Sequence, residues 1–83
     1  LRLAVLRLIR HNPGVIGSEL NDLYTIEVSR DRAPRAAWDS PRKRAGELHD
    51  FGLLDVTGIR PGLTNKGERQ FTINDRGLAA LEG

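Results

Sequence analysis

The sequence predicts a small α+β domain, with helices first, a two-stranded hairpin after them and a short helix at the end. Three observations lead there. The stretch from Ser40 to Gly52 carries signals for both ends of a helix. Directly after it the apolar spacing changes from helical to alternating, with Leu54 and Val56 on one side and Asp55 and Thr57 on the other. The 83 residues, 39% apolar and 29% charged, suffice for one modest core and not two. Residues 1–83 are therefore expected to be a single domain. Because the chain opens mid-helix and contains no methionine, it reads as a piece excised from a longer protein.

Leu1 to His11 has helical spacing and is stopped by Asn12-Pro13-Gly14. Leu1, Ala4, Val5, Leu8 and Ile9 form the expected core stripe, across from Arg2, Arg7 and Arg10. Leu3 and Leu6 fall among the arginines. Either they cover flanking loops, or with Phe51 they form an interaction surface for a second subunit or another protein. Val15-Ile16 is long enough for a strand stub. Gly17-Ser18 then opens a helix running from Glu19 to about Ile26, with Leu20, Leu23 and Tyr24 at helical spacing. Ser29 to Asp39 reads as an Arg-rich loop broken by Pro34.

The third helix has the most distinctive letters. Ser40 can accept a hydrogen bond from a free N–H of the first turn, and Pro41 fits a position that needs no N–H. Gly52 can take the left-handed conformation that ends a helix. Pro41, Ala45, Leu48 and Gly52 share one face, while Lys43, Gly46, Glu47 and Asp50 share the opposite one, with Arg42 and Arg44 on the flanks. Three cations in the first turn oppose the helix dipole, so an anionic partner is expected to compensate them. Net charge is only +2, but between Val28 and Arg44 six cations stand against two anions.

Leu53 to Ile59 is predicted as a strand, Arg60 to Arg69 as a Gly/Pro-punctuated loop and Gln70 to Ile73 as the returning strand, with Phe71 and Ile73 facing the core. The hairpin must lie against the helices to be stable. Asn74 caps a last helix carrying Leu78, Ala79 and Leu81.

Several function classes drop out. There is no cysteine, which removes disulfides and thiolate metal sites. No run of 18 apolar residues exists to span a membrane, and Leu1 to Ile9 is too short and Arg-studded for a signal peptide, so a cytoplasmic protein is expected. His11 and His49 are the only histidines, and neither has a second ligand at metal spacing. The Gly62 to Glu68 loop lacks the Gly-Lys-Ser/Thr ending of a phosphate loop and joins two strands. No catalysis, cofactor or metal is expected.

Arg44-Ala45-Gly46-Glu47-Leu48, the pair Gly52-Leu53, and Asn74-Asp75-Arg76-Gly77 after the hairpin resemble segments of bacterial and phage winged helix-turn-helix proteins. There Arg-x-x-Glu-Leu precedes Gly-Leu, and Thr-x-x-Gly follows the wing. Gly17-Ser18-Glu19-Leu20, opening the second helix, fits the same pattern, and the likeness covers nearly the whole chain. Asn74 departs from the usual Thr, and the loop before the third helix is longer than usual.

The resemblance implies a three-helix core with a two-stranded wing. Helix 40–51 would lie in the major groove of double-stranded DNA and wing 58–70 on its backbone or minor groove. The protein would then serve as a transcription-regulatory or phage replication-accessory module. On that reading Arg42, Lys43 and Gly46 take recognition positions, with Ser40, Arg44 and Arg35 beside them. Arg60, Lys66 and Arg69 would meet phosphates from the wing. Glu47 and Asp50 would accept from cytosine N4, or Glu47 would pair with Lys43. Arg44 has Asp39 and Glu47 as alternative partners, and Trp38 either plugs the helix N-terminus or touches nucleic acid. A protein-interaction or homodimer module built on the first helix is the alternative.

Overall fold

A computed structural model describes residues 2–35, 40–62 and 66–82. These hold four helices and one antiparallel hairpin, the α+β class expected. The order is α1 (Arg2–His11), α2 (Gly17–Ser29), α3 (Ser40–Asp50), β1 (Leu54–Pro61), β2 (Gly67–Ile73) and α4 (Asp75–Glu82). The core gathers Val5, Leu6 and Ile9 of α1, Leu20 and Tyr24 of α2, Ala45 and Leu48 of α3, and Leu54 and Phe71 of the hairpin. Val15 joins them and forms an isolated bridge to Phe71, so the expected stub pairs with the outer side of β2.

Leu6 corrects the reading of α1. It is 2% exposed, so it is a core residue and no part of an interaction surface. The cause is crowding: α1 is packed by α2, α3, α4 and β2, which widens its buried arc past the Val5–Ile9 stripe. Leu3 and Phe51 remain largely exposed. The helix α2 extends to Ser29, beyond the expected Ile26, because Asp31 ends it in the left-handed region at φ 56°. Arg32 N–H then reaches the Glu27 carbonyl at 2.9 Å, and Asp31 N–H that of Val28 at 3.1 Å.

The helix α3 buries Pro41, Ala45 and Leu48, the face read from the sequence. Gly52 ends it at φ +81°, with Gly52 N–H on the His49 carbonyl and Leu53 N–H on that of Leu48, at 2.9 and 3.0 Å. At its start Asn21 does the capping: its Oδ1 accepts the Arg42 N–H at 3.1 Å. The Ser40 hydroxyl, expected in that role, makes no such bond among the described residues. Trp38 and Asp39 lie outside the described residues.

Pairing in the hairpin continues well into the predicted loop, to Pro61 and Gly67. Pro61 is tolerated because β1 is the outer edge strand, where a missing donor costs no ladder bond. A bulge between Val56 and Gly58 shifts the register by one residue, bringing Arg60 opposite Glu68 and Ile59 opposite Arg69. Val56, expected to face the core, is 38% exposed, although Phe71 opposite it is buried. Asn74 caps α4 through its Oδ1, which accepts the Gly77 N–H at 3.0 Å.

Candidate functional site

The outward side of α3 and one face of β2 form the two walls of a cleft of about 340 Å³. Arg42, Lys43 and Gly46 line it from α3, and Gly67, Glu68, Arg69 and Phe71 from the hairpin. The sequence reading assigns Arg42, Lys43 and Gly46 to recognition positions and Arg69 to a wing phosphate contact, and the fold brings these four together.

The two arginines are held by packing. The stem of Arg42 lies across Gly17 at the start of α2: a Cβ there would stand 2.4 Å from its Cγ and 2.7 Å from its Cδ. Gly17 is thus the seat that aims Arg42 into the cleft, and only a residue without a side chain provides it. The Arg69 guanidinium sits 5.2 Å over the Phe71 ring and 3.8 Å from where a Cβ of Gly46 would be. Among the described residues no carboxylate forms an ion pair with the guanidinium of Arg42 or Arg69. Both stay available to an anion.

The other expected cations go elsewhere. Arg60 is already engaged: its guanidinium pairs with Glu19 and donates to the Gly14 carbonyl at 3.2 Å, so it fastens the hairpin to α2. Arg44 holds both carboxylate oxygens of Glu47, at 2.7 and 2.8 Å, and does not line the cleft; its other expected partner, Asp39, lies outside the described residues. Glu47 also takes Arg2 at 3.3 Å, and Arg2 lies 5.4 Å over the Phe51 ring. Lys66 is exposed at the hairpin end, Arg35 is exposed beyond α2, and Ser40 is half-buried at the start of α3.

Two residues that sequence reasoning missed complete the site. Glu68 accepts from the Ser18 N–H at 3.0 Å and from its hydroxyl at 2.5 Å, putting a carboxylate on the N-terminus of α2, where the helix dipole favours it. Glu19 reaches back to the Ile16 N–H at 3.3 Å while holding Arg60. The Arg60 hydrogen bond is the main reason its carboxyl lies below the ordinary value, with the Ile16 N–H adding to it. Ser18, Glu68, Arg60 and Glu19 together form a polar buckle between hairpin and α2. The Gly17-Ser18-Glu19 run marked half of it, but its partners lie 41 and 50 residues away along the chain.

A second hollow of about 420 Å³ runs along Asn12 to Val15, Glu19, Asp22 and Arg60. Its cation is spent on Glu19, so it exerts no pull on an anion. Among the described residues no three His, Asp or Glu side chains cluster to hold a metal, and no helix is long and apolar enough to cross a membrane. No protein-family model, curated protein or solved structure matches the chain.

Proposed function

We propose that the protein is a winged helix that binds double-stranded DNA, with α3 laid in the major groove and the hairpin as a wing on the backbone or minor groove. It would act as a transcription-regulatory or phage replication-accessory module. One observation carries this reading: Arg42, Lys43 and Arg69 line a single cleft around Gly46, whose missing side chain lets a nucleic-acid backbone come close to α3. Arg42 suits a phosphate or the O6/N7 edge of guanine, and Lys66 supplies a further phosphate contact from the end of the wing. Glu47 is occupied by Arg44, which leaves Asp50, 80% exposed, as the acidic residue available to cytosine N4.

The test is fluorescence anisotropy with a labelled random duplex of about 30 base pairs, long enough for several phosphate contacts, from low to physiological salt. Log-linear weakening with a slope set by a few phosphates is the expected result. No binding even at low salt would overturn the reading. A second reading, a protein-interaction or homodimer module, is favoured by Leu3 and Phe51, which are 52% and 59% exposed.

A further inference from the structure

Ile59 is the most exposed large apolar side chain among the described residues, at 71%. Strand propensity does not explain it, because a threonine would satisfy an edge strand equally well and leave less apolar surface in water. Its position is specific. The bulge after Val56 sets Ile59 opposite Arg69, and residues opposite one another in an antiparallel pair project from the same face. That face is the hairpin wall of the cationic cleft. Ile59 leans across the strand to Gly67, which lines the cleft: a Cβ on Gly67 would come within 2.7 Å of its Cγ2. Val56, 38% exposed, lies on the same face opposite Phe71. The cleft, lined by three cations and the Glu68 carboxylate, therefore has exposed apolar side chains beside it on the same face of the hairpin.

Duplex DNA offers both chemistries side by side. Along a DNA minor groove, phosphates alternate with the apolar faces of deoxyriboses that form the groove walls. We infer that Ile59 is a DNA-contacting residue that packs on a deoxyribose in the minor-groove wall, beside the phosphate taken by Arg69. The inference rests on the duplex-DNA reading above and gives the hairpin a contact that charge alone would not supply. It also accounts for the bulge, since without the shift Gly58 would stand opposite Arg69 and leave that position without a side chain.

An apolar contact and a phosphate contact leave different signatures. Displacing counterions gives affinity its salt slope, and burying methyl groups does not change that slope. Anisotropy is measured across salt for the wild type and for Ile59→Thr, Ile59→Leu and Lys66→Ala. Ile59→Thr is expected to bind about fivefold more weakly at every salt concentration with an unchanged log–log slope, and Ile59→Leu to restore binding. Lys66→Ala should instead make the slope shallower by about one unit. If the wild type binds and Ile59→Thr binds equally well, the inference is overturned while the DNA reading stands. A changed slope in Ile59→Thr would also overturn it, because Ile59 would then act only by placing Arg69. If the wild type does not bind, both fall together.

Discussion

Asn21 is the buried residue on which the placement of Arg42 turns. It is 2% exposed and, among the described residues, the only buried side chain that is polar. Its Oδ1 supplies the acceptor that the first turn of α3 needs, and the N–H it holds belongs to Arg42 itself. Asn21→Leu keeps the branched outline but leaves that N–H unmet, and a cost of about 1–3 kcal/mol is expected. Asn21→Asp keeps the acceptor and places its charge where the α3 dipole favours it, so a smaller loss is expected. Urea unfolding midpoints decide the order; Asp proving worse than Leu would show that the polarity of Asn21 does not serve α3. The sequence could not announce this role, because Asn21 lies 21 residues before Arg42, the residue whose N–H it holds, and fits the periodicity of its own helix. Ser40 was the nearer and more conventional cap.

At the level of the elements, what was legible is what is local. The Gly52 end of α3, the Asn74 cap of α4, the apolar seat of α3 and the change of period at Leu54 each depend on residues within a few positions of one another. What was illegible depends on neighbours far along the chain. The burial of Leu6 needed knowledge of how many elements surround α1, and the true length of the hairpin needed its register. Arg60 was read as a free cation because its partner Glu19 lies 41 residues earlier. The site was accordingly half legible: the α3 cations and Arg69 could be named, and the buckle that orients the hairpin could not. That buckle has a pH signature. The folded value of Glu19 is lowered chiefly by Arg60, so its contribution to stability is fully present above the ordinary value of 4.5 and is lost as pH falls through the lowered one. Arg60→Gln removes the contribution. Urea midpoints of wild type and variant should therefore differ at neutral pH and converge in acid; parallel curves over the whole range would show that the pair does not fasten the fold.

Across the whole molecule, two surfaces compete for the role of working face, and they use different residues. The cationic cleft draws on α3 and the hairpin. The apolar pair Leu3 and Phe51 lies on α1 and just past α3, next to the Arg2–Glu47–Arg44 cluster. That cluster sets two arginines against one glutamate and keeps a single net positive charge, so the pull of this region on a polyanion is weaker than that of the cleft and its cover would come chiefly from burial of apolar area. Charge reversal in the cleft and polar replacement on the pair therefore separate the two readings. A substitution at Leu6 would not, since it would act by disrupting the core. Lys43→Glu replaces a cation with an anion among Arg42 and Arg69, and DNA binding is expected to fall by at least about tenfold with a shallower salt slope. The double variant Leu3→Gln, Phe51→Gln leaves net charge unchanged and should bind DNA within about twofold of wild type, since it touches no phosphate contact. Size-exclusion chromatography of both variants completes the comparison. If the double variant loses DNA binding and a dimer disappears with it, the cleft works only in a paired assembly held through Leu3 and Phe51. If Lys43→Glu leaves binding intact while the double variant abolishes association with another protein, the interaction reading takes precedence over the DNA one.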